Sequence, residues 1–204
     1  MDSRTLYLIR HGQIQLPDNR RRFIGQIDLP MSIDGVQQIQ CLHDRLSCKE
    51  IKHIFCSDLS RSKQTAQILA AGTNASIETR TGLREINLGE WEGLSFDEIM
   101  GRHPDEFKAR GKDIAHYSPP GGESFFECSR RLLPVFENII STSSGDIIIV
   151  GHAGINRIII CHILGMPLNN LFRIGQDYAC INIIKCLNSD FLVESLNLTY
   201  GAHC

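Results

Sequence analysis

Short unbroken apolar runs alternate along this chain with longer segments of helical periodicity. Six runs have the length and the β-branched or aromatic content of strands: Thr5 to Ile9, Lys52 to Cys56, Ser76 to Arg80, Asp146 to Val150, Tyr178 to Lys185 and Phe191 to Leu198. Between them, Ile33, Val36, Ile39, Leu42 and Leu46 recur at steps of three or four, which predicts a helix over Ile33 to Leu46. Arg61 to Ala71 repeats the trend with Ala66, Ile68, Leu69 and Ala70, and Ser60 before it is the expected N-cap. Ser124 to Ile140 predicts a third long helix, which Pro134 should kink or break, and Gly151 to Leu164 a fourth. Helices and strands in this alternation predict an α/β fold, with a largely parallel six-stranded sheet whose last two strands form an antiparallel edge.

The least regular stretch is 91–120. It offers short helical pieces around Phe96 to Met100 and Pro104 to Arg110, then the turn Pro119-Pro120-Gly121-Gly122, and reads as a lid-like insertion. No polar linker divides the 204 residues, so a single domain over 1–204 is expected, and 42% hydrophobic content suffices for one core. A net charge of -2 without a Lys/Arg block argues against nucleic-acid binding. The first apolar run is closed after five residues by Arg10 and His11, too short for a signal-peptide core or a membrane span, so the expected setting is cytoplasmic. Eight cysteines are present, but none forms a Cys-x-x-Cys pair, and reduced core cysteines are expected rather than disulfides or a metal cluster. Cys161-His162 lies within an apolar helical stretch and is read as packing.

Candidate chemistry enters at the ends of the strands. The first run exits into Arg10-His11-Gly12 and the fourth into Gly151-His152-Ala153-Gly154, so two buried-type strands each release a histidine into a glycine-flanked turn. The second ends in Ser57-Asp58-Leu59-Ser60-Arg61, and Leu83-Arg84-Glu85 follows the third. Parallel strands open their C-terminal turns on one sheet edge, where Arg10, His11, Arg61, Glu85 and His152 could meet. Two histidines, two arginines and a carboxylate suit phosphoryl transfer. Arginine forks bind phosphate oxygens in pairs and keep their proton. A neutral histidine whose other nitrogen is fixed by an acceptor can attack phosphorus. A glutamate can protonate the departing alkoxide. Arg20, Arg21 and Arg22 form either an anion-facing loop or a solvated basic turn, and Trp91, flanked by Gly89 and Gly93, is expected to plug the core beneath the lid.

These residues resemble the histidine phosphatase superfamily, the branch that includes cofactor-dependent phosphoglycerate mutases and many small phosphatases. The matching strings are Leu8-Ile9-Arg10-His11-Gly12, Cys56-Ser57-Asp58-Leu59-Ser60-Arg61, Leu83-Arg84-Glu85 with Gly89-Glu90-Trp91-Glu92-Gly93, Pro120-Gly121-Gly122-Glu123-Ser124 and Val150-Gly151-His152-Ala153-Gly154. The resemblance implies a three-layer, phosphoglycerate mutase-like fold with helices on both faces of the sheet. It implies a phosphohistidine at His11, with Arg10, Arg61 and His152 holding the phosphoryl group and Glu85 as the proton donor. It assigns substrate contacts to Arg10, Gly12, Gln26, Arg61, His152 and Ala153, and it implies no metal and no other cofactor. Glu85-Ile86-Asn87-Leu88-Gly89 lacks the tyrosine that mutases carry after the acid, which favours hydrolysis over phosphoryl exchange. Phe23-Ile24-Gly25-Gln26-Ile27-Asp28-Leu29-Pro30 and Pro119-Pro120-Gly121-Gly122-Glu123-Ser124 look most like α-ribazole 5'-phosphate phosphatases of cobalamin lower-ligand assembly. Broad-range, phosphoserine or sugar phosphatases and mutases are the alternatives, and a non-catalytic phospho-ligand binder or a metallohydrolase is more remote. The expected partner is a small phosphorylated metabolite, with a homodimer left open.

Overall fold

In chain order the elements are β1 (Ser3–Arg10), α1 (Ile33–Leu46), β2 (Ile51–Cys56), α2 (Ser60–Ala70), β3 (Ser76–Thr79), α3 (Phe96–Arg102), α4 (Pro104–Lys112), α5 (Phe125–Thr142), β4 (Asp146–Gly151), α6 (Ala153–Ile163), β5 (Ile181–Leu187) and β6 (Asp190–Leu198). They come from a computed structural model that describes residues 3–18, 20–187 and 190–200; Cys204 lies outside them. The six strands form one sheet in the order β3-β2-β4-β1-β5-β6. The first four of these are mutually parallel, β5 pairs antiparallel with β1, and β6 pairs antiparallel with β5, the antiparallel edge that the strand pattern predicts.

Period-2 alternation sorts the sheet's side chains between two cores. Leu6 and Leu8 of β1, Phe55 of β2, and Ile147 and Ile149 of β4 face one core with Leu132, Phe136 and Ile139 of α5 and Ile155, Ile158 and Ile159 of α6. Tyr7, Ile9, Ile54, Cys56, Ile148 and Val150 face the other, with Ile39 and Leu42 of α1 and Ala66 and Leu69 of α2. Helices therefore cover both faces in three layers. Burying each large aliphatic side chain contributes about 1.5–3 kcal/mol, and a one-residue slip of β4 would turn its whole apolar set to the wrong core. Register is thus fixed, with Arg10 opposite Gly151 and Cys56 opposite Val150.

Helix starts follow their capping residues. Ser32 accepts from the Gly35 amide at 3.1 Å, and Ser95 with Glu98 and Ser124 with Glu127 form reciprocal capping boxes. Ser60 is not the N-cap of α2: Leu59 takes that position without a side-chain bond, and the Ser60 amide and hydroxyl both donate to Asp28, each at 2.7 Å. The hydroxyl is used to dock the helix on the 27–29 loop instead. Pro134 does not end α5, which runs through it. Pro134 and Arg130 are both exposed, so water can satisfy the carbonyl that the proline leaves free. Gly151 belongs to β4 rather than to the following helix, His152 caps α6, and β5 starts at Ile181 rather than Tyr178.

The 91–120 segment contributes α3 and α4 and stands over the sheet edge where the parallel strands end. Trp91 is buried beneath it, 5.1 Å from the Phe23 ring and 5.7 Å from the Tyr117 ring between centroids, in the packing role expected of it. Cys161 is buried as expected, whereas His162 points outward on the exposed side of α6. Among the described residues no helix is long and apolar enough to cross a membrane.

Candidate active site

Neighbouring strand ends bring the candidate residues together. The Arg10–Gly151 pairing sets His11 and His152 side by side one step beyond the sheet, with the His11 amide donating to the Gly151 carbonyl at 3.3 Å. The two imidazole rings lie 5.0 Å apart edge to face. From the other flank of β4, the turn after β2 delivers Ser57, whose Oγ is 2.8 Å from His152 Nε2, and then Arg61 in the first turn of α2. Ser62 secures that turn by accepting from the Ser57 amide at 3.1 Å and donating to the Val150 carbonyl at 2.9 Å.

Hydrogen-bond partners fix the tautomer of each ring. His11 Nδ1 is 2.8 Å from the Gly12 carbonyl, which can only accept, so Nδ1 carries the proton and Nε2 keeps its lone pair. Arg61 Nε donates to His152 Nδ1 at 3.3 Å, so His152 carries its proton on Nε2 and donates it to Ser57. Burial, reinforced by the Arg10 and Arg61 charges, holds His11 well below the usual histidine range. Burial again, then Arg61 and the neighbouring His11 and Arg10, does the same to His152. Both rings are neutral at pH 7.

This neutrality has a cost in acid. Below about pH 6.5 the unfolded chain protonates both histidines while the folded protein does not, so the unfolded state binds more protons and stability falls as pH drops. The slope is up to about 1.4 kcal/mol per pH unit for each ring. Urea unfolding across this range should show His11→Gln losing stability less steeply than the parent protein; identical slopes would contradict the assignment.

The arginines are held by backbone. Arg61, 1% exposed, donates from Nη2 to the Gly25 carbonyl at 2.6 Å and from Nη1 to the Ile27 carbonyl at 2.9 Å, leaving two of its five N–H groups. The 25–27 loop is itself pinned by Glu92, whose carboxylate accepts from the amides of Gly25, Gln26 and Ile27 at 3.0, 2.6 and 3.2 Å. Only glycine fits at 25, because a Cβ there would strike the Ile86 carbonyl and the Glu92 carboxylate. Arg10 donates to the Gln176 carbonyl at 2.6 Å and stacks on the Tyr178 ring with its guanidinium carbon 3.8 Å from the centroid. Its buried Nε has no partner among the described residues. Beneath it, Gln176, Asn156 and Asn182 form a buried amide cluster, with Gln176 bonded to Asn182 at 2.7 Å and to Asn156 at 3.1 Å.

Glu85 sits against the start of α6. Its Oε2 accepts from the Gly154 amide at 2.9 Å, and its Oε1 from the amides of Ile155 at 3.2 Å and Ile86 at 3.0 Å. Arg131 fixes the backbone that carries it, donating to the Gly82, Arg84 and Glu85 carbonyls at 2.9, 3.0 and 2.9 Å while paired with Glu123.

These groups open on a cavity of about 540 Å³. Arg10, His11, Arg61, Glu85 and Ala153 line it, whereas Gly12, Gln26 and His152 do not. Gly12 lies behind the His11 ring, and the Gln26 amide donates to the Glu85 carbonyl at 3.0 Å. His152, fully buried, acts on the cavity through Arg61. All three consecutive arginines line the cavity, with Arg22 paired to Asp18 at 2.5 Å and Arg20 3.9 Å from the same carboxylate. Sequence reasoning missed Arg157, Gln176 and Tyr178, which complete the wall, and Glu92 and Ser57, which act through Arg61 and His152; Glu92 had a signal in its place within the Gly-Glu-Trp-Glu-Gly string. Among the described residues no cluster of three or more His, Cys, Asp or Glu side chains is arranged to hold a metal ion.

Residues 6–199 match the family described as histidine phosphatase superfamily, branch 1. The adenosylcobalamin/α-ribazole phosphatase of Escherichia coli K12 is 27% identical over 191 residues, covering 91% of each chain. The glucosyl-3-phosphoglycerate phosphatase of Mycolicibacterium vanbaalenii is 31% identical over 180 residues, covering 83% of this chain and 78% of that one. The crystal structure of the α-ribazole phosphatase from Shigella flexneri superposes with a TM-score of 0.87 at 26% identity, over 95% of this chain and 96% of that one. The chain belongs to branch 1 of the histidine phosphatase superfamily, and its class of reaction is phosphoric monoester hydrolysis.

Proposed function

We propose that this protein hydrolyses small phosphomonoesters through a phosphohistidine on His11. The observation that carries the reading is the buried, neutral His11 ring, whose Nδ1 proton is tied to the Gly12 carbonyl while its other nitrogen keeps a lone pair beside two guanidinium groups. In the first half-reaction the His11 Nε2 lone pair attacks phosphorus, the bond to the ester oxygen breaks, and Glu85 gives its proton to the leaving alkoxide. In the second, Glu85 takes a proton from water, the oxygen attacks phosphorus, and the P–N bond returns its electron pair to Nε2 as inorganic phosphate leaves. Arg10 and Arg61 bear the charge that develops on the phosphoryl oxygens. His152 holds the Arg61 fork, and Gly12 and Gln26 support His11 and Glu85 from behind.

Glu85→Gln should lower kcat on alkyl phosphates by about 10²-fold or more, the scale of general acid catalysis. Formation of the phosphohistidine from an aryl phosphate with a good leaving group should suffer far less, because such an oxygen departs without a proton. Equal damage to both, read as pre-steady-state release of the alcohol, would remove Glu85 from the acid role.

Two substrate classes fall within the reading. The α-ribazole 5'-phosphate expected from sequence is supported by the relatives of that name and by a cavity wall carrying Phe96 and Phe172. A phosphorylated acid is supported by the mycobacterial relative and by the arginines beyond Glu85. Phosphate release from α-ribazole 5'-phosphate, phosphoserine, 3-phosphoglycerate and sugar phosphates, measured with a chelator present, tests the reading as a whole. Hydrolysis that survives the chelator is the expected result. Exchange between phosphoglycerates without phosphate release would replace it with a mutase.

A further inference from the structure

Asn182 stands in β5 between Ile181 and Ile183 and is 0% exposed. Burying an amide is costly unless each of its donors and acceptors finds a partner. Here all do. Asn182 Nδ2 donates to the Leu8 carbonyl of β1 at 2.9 Å and to Gln176 Oε1 at 3.1 Å, while its Oδ1 accepts from Gln176 Nε2 at 2.7 Å and from the Asn197 amide at 3.0 Å. Asn182 and Gln176 thus form a reciprocal amide pair. Asn182 does not line the first cavity, and packing alone would be served as well by an aliphatic side chain in an otherwise apolar strand.

The pair lies under the turn that supports Arg10. Gln176 Nε2 also donates to the Gly175 carbonyl at 2.7 Å, and Gln176 Oε1 accepts from Asn156 Nδ2 of α6 at 3.1 Å. On the outer side, Asn197 of β6 grips the next residue: its Oδ1 accepts from the Asp177 amide at 2.7 Å and its Nδ2 donates to the Asp177 carboxylate at 2.8 Å. Asn197 does so from a φ of 54°, a left-handed conformation that asparagine tolerates better than most residues. The backbone from Gly175 to Asp177 is therefore clamped from β5, β6 and α6. It supplies the Gln176 carbonyl that takes Arg10 Nη1, and it leads into Tyr178, on whose ring the guanidinium stacks. With Nη1 drawn to that carbonyl, the edge of the guanidinium formed by Nε and Nη2 is left for a bidentate ligand. No hydrogen bond among the described residues engages either nitrogen, and Nε is buried.

We propose that the Gln176–Asn182 amide pair is a positioning element, which aims the Nε–Nη2 edge of Arg10 at the phosphoryl group through the Gln176 carbonyl and the Tyr178 ring. Asn182 is its buried anchor and acts on the reaction only through Arg10. The proposal rests on the reading in which Arg10 holds the phosphoryl group. Paired N–H bonds to two phosphate oxygens require the guanidinium plane to be fixed, whereas a lysine at this position would keep the charge and have no edge to aim. That difference supplies the test.

Asn182→Leu replaces the amide with an aliphatic side chain of similar size and takes away the partner of Gln176. On an aryl phosphate it should lower kcat/KM by about tenfold or more, the scale of one charge-assisted hydrogen bond. In an Arg10→Lys background the same substitution should cost less than about threefold, because effects that pass through one group do not add. Asn197→Gly keeps the left-handed backbone and removes the outer grip on Asp177, so it should give a smaller loss with the same dependence on Arg10, and it carries the test if Asn182→Leu does not fold. Equal factors in the two backgrounds, or full activity in the folded variant, would overturn the proposal. Calorimetric binding of inorganic phosphate to the His11→Ala protein separates the positioning from the chemistry. An affinity that falls about tenfold with Asn182→Leu, but not in the Arg10→Lys background, supports the positioning role even if no ester is turned over, a result that would sink the phosphohistidine reading alone. A phosphate affinity that Asn182→Leu leaves unchanged would overturn the proposal as well.

Discussion

Replacing His11 with alanine is expected to lower kcat by about 10⁴-fold or more on every phosphomonoester, since removal of a nucleophile abolishes the covalent route and leaves only binding and charge stabilisation. The fold should survive. The ring is held by one bond to its own neighbour's carbonyl, an edge contact with His152 and a tilted contact with Tyr178, and no strand or helix depends on it. Near-ultraviolet circular dichroism matching the parent, with activity gone, is the expected pair of readings. Retained turnover would end the account.

The second large effect is expected at Arg61. Lysine keeps the charge but cannot reach the Gly25 carbonyl, the Ile27 carbonyl and His152 Nδ1 at once, so Arg61→Lys should lose its geometry rather than its sign. A loss of about 10³-fold in kcat/KM is expected, the lower end of what a guanidinium supplies to phosphoryl transfer, with inhibition by inorganic phosphate weakened in parallel. Since Glu92 holds the loop that provides two of those carbonyls, Glu92→Gln should reproduce part of the defect from a residue that does not line the first cavity. Full activity in Arg61→Lys would show that a point charge is enough.

How much of this was legible beforehand depended on whether a residue's position followed from strand periodicity. His11 and His152 were, because each ends an apolar run that can only be a buried strand, and parallel pairing of the two runs sets them side by side. Arg61 and Glu85 followed from the same sheet edge. What spacing could not tell was the direction a side chain takes after the turn. His152 lies behind the cavity rather than on it because Ser57 and Arg61 claim both of its nitrogens. Gln26 turns to the Glu85 backbone for a similar reason. Gln176 was invisible because the chain before Tyr178 has no periodicity, and Tyr178, which the pattern places in a strand, instead meets Arg10 from a reversal in which Ala179 adopts a φ of 56°. Ser60 looked like a helix cap in sequence, but a competing acceptor 32 residues away, Asp28, took its hydroxyl. Nothing in the spacing of Arg110 and Arg157 links them. Only their common approach to Phe172, from segments far apart in the chain, sets them apart.

The central claim is that phosphorus passes through His11, and Glu85→Gln offers the means to see it. With an aryl phosphate of good leaving group, this variant should form the phosphohistidine readily but hydrolyse it slowly, because water no longer has its base. We would mix it with such a substrate, quench in alkali, where a phosphorylated imidazole survives, and map the phosphoryl group by peptide mass spectrometry. The account predicts one phosphoryl group, on the peptide containing His11, and none when His11 is also replaced. Repeated turnover with His11 unmodified, or the phosphoryl group on another residue, would contradict it.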